Sequence, residues 1–216
     1  IIAPLLPASY NVAPTDPVYA VVEHDGERLL TSFSWGLVPW WAEDRRIAAR
    51  NINARAETVA EKPAFRDSFT GRRCLIPADG FYEWKKLPDS KRKQPYFISR
   101  PDGERFAFAG LWEVWRGPKD AEGNRTEDPL RSCTIITTTP NDTMAEIHDR
   151  MPVILPPSAW DAWLDPDNDD LETLGKLPVP APANVTQLLP VSTEVNNVRN
   201  KGARLIEEAT PEELVV

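Results

Sequence analysis

Apolar and polar residues alternate in short runs along most of this chain, and few stretches hold the 3.6-residue period of a helix. Val18 to Val22 and Arg28 to Ser34 read as two strands around His24-Asp25-Gly26-Glu27, where Asp-Gly suits a tight hairpin turn. Cys74-Leu75-Ile76-Pro77 and Gly80-Phe81-Tyr82-Glu83-Trp84 read as two strand segments joined at Ala78-Asp79. Tyr96 to Ser99, Phe106 to Leu111 and Cys133 to Thr138 add strands, and Leu188 to Val195 reads as late strands. Pro63 to Phe69 fits a short helix with proline in its first turn and Phe65 and Phe69 stacked four apart. Ser158 fits as the cap of a second helix, in which Trp160, Trp163 and Leu164 share a face. Trp35-Gly36-Leu37-Val38-Pro39-Trp40-Trp41 is an aromatic loop, because its glycine and proline interrupt any regular element. Gly117 to Pro129 reads as a polar insertion, Pro178 to Pro182 as a rigid connector, and the acidic tail from Glu207 as frayed.

Many short strands with few intervening helices predict a single α+β domain over 1–216. Its β core should be curved, largely antiparallel and barrel-like, with a few peripheral short helices. Composition agrees. With 41% apolar residues and eight tryptophans the chain can bury a real core, and its 22 prolines argue against a helix bundle. No apolar run approaches the roughly 20 residues that cross a bilayer, so no membrane partner is expected. Cys74 and Cys133 are too few for a disulfide framework and lack metal-ligand spacing. They read as buried thiols of a cytoplasmic protein, and neither a metal nor a cofactor is expected.

The net charge of −8 argues at first against a nucleic-acid partner. Its distribution changes that picture. Arg45 to Arg131 carries 19 Lys/Arg against 13 Asp/Glu, a net of +6, while the remainder carries 6 against 20, a net of −14. A basic face on an acidic protein is therefore available. Five of its cations, Lys85, Lys86, Lys91, Arg92 and Lys93, fit either that face or a merely solvated hairpin loop.

Three polar residues carry candidate chemistry. His148, one of two histidines, stands where a polar segment enters the apolar run Met151 to Leu155, and its proton moves near neutral pH. Glu83 lies in an aromatic strand, sharing a face with Phe81 and Lys85, where aromatic neighbours can raise a carboxyl pKa for proton transfer. Asn53 donates and accepts at once, so it can orient a nucleophile or a carbonyl. The structural alternatives are a backbone-bonded histidine, an exposed glutamate paired with a lysine, and a turn asparagine. Together the three suit chemistry at a carbonyl.

Six runs, in order, carry a family resemblance. They are Tyr10-Asn11-Val12-Ala13-Pro14, Trp35 to Pro39, Asn53-Ala54-Arg55-Ala56-Glu57-Thr58, Arg73-Cys74-Leu75-Ile76-Pro77, Gly80 to Trp84 and His148-Asp149-Arg150-Met151-Pro152. This series resembles the SRAP family, named as SOS-response-associated peptidases and understood as shields for abasic sites in single-stranded DNA. The resemblance runs from Ser9 to about Asn197. It implies that Asn53, Glu83 and His148 are the catalytic helpers and that Arg55, Arg72 and Arg73 hold the DNA backbone. It places Trp40 and Trp41 against bases near the lesion, core packing being their structural alternative.

A monomer is expected, working in the cytoplasm and on the nucleoid when bound to DNA. One departure stands out. The family's nucleophile is a cysteine exposed by removal of the initiator methionine, whereas this sequence opens on Ile1. A missing preceding segment is the expected reason. The rival readings are a thiol peptidase or hydrolase using Cys74 or Cys133 with His148 as base, and a non-catalytic single-strand or modified-base binding module.

Overall fold

A computed structural model of the chain describes residues 5–88, 91–119, 121–125 and 127–214. The first hairpin pairs β1 (Pro17–His24) with β2 (Glu27–Trp35) along their full length. Asp25 at φ 52 and Gly26 at φ 74 give its turn the two left-handed positions that match strand twist. Next come β3 (Asn53–Arg55), β4 (Arg73–Ala78), β7 (Phe106–Trp115) and β8 (Leu130–Thr138). The larger sheet runs β2-β1-β4-β7-β8, and a parallel pairing of Ser34 and Trp35 with Ser132 and Cys133 joins β2 back to β8. Five strands thus close into a mixed barrel, which leaves fewer open edges than a flat sheet. β3 and the short β9 (Met151–Pro152) also attach to β8, β3 in parallel.

A second, three-stranded sheet holds β5 (Gly80–Lys86), β6 (Lys93–Ser99) and β10 (Gln187–Pro190) in the order β10-β6-β5. β7 is nearly continuously buried because β4 and β8 flank it and both of its faces are covered. One apolar cluster packs Leu75, Leu111 and Val153 against Phe69, Trp163 and Leu174 of the helices. Another packs Ile76, Phe108 and Cys133 against Phe33, Ile98 and Met151. The helices α1 (Arg66–Gly71), α2 (Asp142–Ala145), α3 (Trp160–Leu164) and α4 (Leu171–Leu174) are short and peripheral.

Several boundaries differ from the sequence expectation. α1 begins at Arg66, because Lys62 to Phe65 close turns onto Thr58 and Lys62 and Phe65 has a non-helical ψ/φ pair; Pro63 lies ahead of the helix. Phe65 and Phe69 still share its buried face. Ser158 caps nothing. Pro156 and Pro157 lead into a 3-10 turn over Pro157–Ala159, so Ser158 lies inside that turn and Ala159 precedes α3. β4 and β5 are not one sheet's hairpin: Ala78 pairs with Phe106 and Gly80 with Ser99, so the chain changes sheets at Asp79.

The late strand ends at Pro190, where the Ser192 side chain accepts from Glu194 N and turns the chain into a 3-10 segment, Thr193–Asn196. The described part of the tail is tied down. Ala209 N donates to Pro190 O at 2.9 Å, Glu208 bridges Val191, and Arg204 pairs with Glu213 at 2.8 Å.

Candidate active site and nucleic-acid interface

Strand alternation decides where Glu83 points. Phe81 lies against Phe106 and Phe108, with ring centroids 6.0 and 5.8 Å apart, whereas Tyr82 and Trp84 pack against the Val191, Val195 and Leu205 cluster. Glu83 follows Phe81 onto the first face and meets His148, Oε2 to Nε2, at 3.6 Å. This is an ion-pair separation rather than a hydrogen bond. Burial raises the Glu83 pKa, the principal cause, and the neighbouring His148 and Lys93 charges oppose the rise. The two side chains stay reachable, at 22% and 36% exposure.

The histidine is held from behind. His148 Nδ1 lies 3.1 Å from both the backbone N and the backbone O of Arg150, and His148 N donates to Met144 O at 2.9 Å. Arg150 is itself clamped. Its guanidinium donates to both Glu57 carboxylate oxygens, at 2.7 and 3.0 Å, and to Thr137 O at 2.6 Å. The clamp ties the segment after β3 to the His148 loop. Neither Glu57 nor Arg150 stands out as a site residue from sequence alone. Their opposite charges in two separate motifs were a signal, but one that says nothing about which acid meets which base.

Asn53 lies exposed on β3, paired in register with Ile135, and makes no hydrogen bond to Glu83 or His148 among the described residues. Ile52, Ile135, Trp35, Gly80 and Phe81 line an apolar cavity of about 1000 Å³ that enters the fold between the two sheets. The residues flanking Asn53 and Glu83 in the chain therefore share one hollow.

The predicted DNA contacts divide. Arg55 is exposed and, among the described residues, carries no hydrogen bond or ion pair, so it is free to meet a phosphate. Arg72 is half-buried and already paired with Glu113 at 2.8 Å. Arg73 is a correction. It is 1% exposed and its guanidinium is spent on the carbonyls of Phe69, Thr70, Trp163, Asp165 and Asn168, so no phosphate can reach it.

Trp40 and Trp41 are 46% and 43% exposed, which rules out core packing as their main role. Trp40 Nε1 donates to Asp67 Oδ2 at 3.2 Å, fixing one ring. The loop carrying them is held by Gly36, whose φ of 124° brings it so close to Ala48 that a Cβ would sit 2.8 Å from Ala48 O. Gly36→Ala is accordingly expected to destabilise the fold by about 1–3 kcal/mol. An unchanged thermal midpoint would show that this loop yields freely.

Neither internal thiol is available. Cys74 and Cys133 are fully buried; burial pushes the Cys74 thiol well above its ordinary pKa and Cys133 up to about 12. A peptidase that uses either as nucleophile has no geometric support. Among the described residues no cluster of His, Cys, Asp and Glu suits a metal ion.

Residues 3–198 match the family model of the SOS response associated peptidase. The chain belongs to the SRAP family. Among SRAP relatives it is 47% identical over 199 residues to the abasic site processing protein YoqW of Bacillus subtilis, covering 92% of this chain and 85% of that one. It is 34% identical over 204 residues to the abasic site processing protein YedK of Escherichia coli, covering 92% and 83%. The SRAP fold recurs in a crystal structure from Bacteroides thetaiotaomicron, with a TM-score of 0.77, 25% identity, and coverage of 91% of this chain and 82% of that one.

Proposed function

We propose that this protein recognises abasic sites in single-stranded DNA and shields them in the DNA damage response. The shield is a covalent thiazolidine crosslink, formed through an amino-terminal cysteine of the full gene product. The observation that carries the reading is the Glu83–His148 pair. It is a half-buried carboxyl with a raised pKa beside an imidazole, in a chain whose relatives are named for abasic site processing.

An abasic deoxyribose is mostly a closed hemiacetal, and opening it moves a proton from the C1 hydroxyl to the ring oxygen. His148 carries that proton. The cysteine α-amine then attacks the aldehyde carbon, and Glu83 protonates the carbinolamine hydroxyl so that it leaves as water and an imine forms. The thiol sulfur adds to the imine carbon, its proton passes to the nitrogen, and the five-membered ring closes. Amine and thiol sit on one residue, which favours closure.

Asn53 positions the terminal residue at the mouth of the apolar cavity. Arg55 holds a phosphate, and Trp40 and Trp41 stack on unpaired bases without regard to sequence, worth roughly 1–3 kcal/mol per base.

The test is intact mass of the full gene product before and after incubation with a single-stranded oligonucleotide carrying one abasic site. An adduct of protein plus DNA less water, mapping to a terminal cysteine, is the expected result. Tight binding to the abasic oligonucleotide with no adduct would reduce the protein to a binding module.

A further inference from the structure

The most basic stretch of the chain lies outside the site just described. In Lys85 to Lys93 five of nine residues are basic and one, Asp89, is acidic. The stretch spans the end of β5 and the start of β6, so Lys86 stands directly across from Lys93 in the register. Like charges placed opposite each other in a hairpin are destabilising. An anion laid along these exposed lysines relieves that repulsion.

The geometry says where that anion comes from. Lys85 is two residues from Glu83 on the same face of β5, an advance of roughly 7 Å along the strand. Lys85 and Lys86 form one wall of an open groove of about 420 Å³, whose other wall includes His148. The groove therefore opens beside His148, the partner of Glu83, with the end of β5 as its lysine wall. Lys93 is near enough for its charge to act on Glu83. Neither Lys85 nor Lys86 has an ion pair among the described residues. Glu146 and Asp149, on the opposite wall, are exposed carboxylates that repel a polyanion toward the lysine side.

We infer that this groove is a phosphodiester track. The strand that presents its abasic sugar to Glu83 and His148 continues on one side of the lesion along the β5–β6 hairpin. Lys85 takes the phosphate next to the lesion and Lys86 one beyond it. The inference rests on the proposed function and adds a direction to it, since only one flank of the lesion can lie in this groove. Arg55, on β3, and the Trp40–Trp41 shelf, on the loop ahead of it, sit on other elements and are left to serve the remainder of the strand.

The experiment compares the full gene product with its Lys85→Ala/Lys86→Ala variant, and with Lys176→Ala as a control for loss of charge far from the groove. The ligand is a single-stranded oligonucleotide carrying a non-aldehyde abasic analogue, so that binding is read without crosslinking. It is used with both flanks long, with the 5′ flank cut to one nucleotide, and with the 3′ flank so cut. Two phosphate contacts on a single strand contribute about 1.4 to the slope of log K against log salt.

The double variant should lose about that much slope, and bind roughly tenfold more weakly at moderate salt, with the uncut ligand and with one of the two cut ligands. With the other cut ligand it should match the parent, and Lys176→Ala should match it throughout. Equal slopes for the double variant and the parent on every ligand would overturn the track. So would an equal loss on both cut ligands, which would mean a diffuse field instead of a groove. A parent that binds none of the three ligands would overturn the abasic-site reading itself, and the track with it.

Discussion

Glu83→Gln is expected to slow crosslink formation by about 100-fold or more while leaving DNA binding in place. The glutamine keeps the size and the polar outline of the side chain but cannot deliver a proton to the departing hydroxyl. The phosphate contacts and base stacking belong to other side chains, so affinity for a non-aldehyde abasic analogue should stay near that of the parent. Single-turnover rates within threefold of the parent would remove Glu83 from the chemistry.

The stability of the same variant separates chemistry from folding. Burial raises the Glu83 pKa in the folded state above its unfolded value. The contribution of this group to stability is therefore fully present below the unfolded pKa and is lost as pH rises through the folded one. At pH 7 the wild-type protein carries that loss, and a permanently neutral glutamine does not. Glu83→Gln should consequently unfold at the same temperature as the parent or higher near neutral pH, with the difference shrinking under acid conditions. A variant that is slow and also less stable at pH 7 would place the defect in the fold.

Glu83 and His148 were legible in the sequence because each sits in a local pattern with a fixed consequence. Alternation through Phe81-Tyr82-Glu83-Trp84 places the carboxyl on one known face, and a histidine entering an apolar strand has its backbone direction set. The first hairpin was legible for the same reason, since Asp25-Gly26 specifies the turn and the turn specifies the register.

What escaped was non-local. The parallel contact of Ser34 and Trp35 with Ser132 and Cys133 that closes the barrel spans about half the chain and leaves no mark on either strand's pattern. The Glu57–Arg150 clamp and the change of sheet at Asp79 are of the same kind. The tail reads as a solvated acidic run until its partners, Pro190, Val191 and Arg204, are known.

Arg72 and Arg73 show the limit most sharply, being identical, adjacent and given one role by the resemblance, yet differently placed. Arg73→Ala is expected to destabilise the protein by about 3–5 kcal/mol, lowering the thermal midpoint of a domain this size by roughly 10 °C or more. The guanidinium donates to Trp163 O at 2.8 Å, to Phe69 O and Thr70 O at 2.7 and 2.8 Å, and to Asp165 O and Asn168 O. These carbonyls belong to the ends of α1 and α3 and the turn beyond α3, where helices leave acceptors without intrahelical partners. A cation there also meets the negative ends of both helix dipoles, which offsets part of the cost of burying it.

Removing it takes the donor from the buried carbonyls of Phe69 and Trp163, inside the packing around Trp163, and from three partly exposed carbonyls beside them. Arg73→Lys keeps the charge but not the fork, so it reaches only some of the five acceptors and should fall between alanine and the parent. Thermal unfolding of the two variants, read beside the salt dependence of their binding to single-stranded DNA, decides between the roles. A large fall in midpoint with an unchanged salt slope is expected for a residue that ties two helix ends to β4. A stable Arg73→Ala protein whose slope drops by about 0.7 would instead return Arg73 to the DNA surface and contradict its burial.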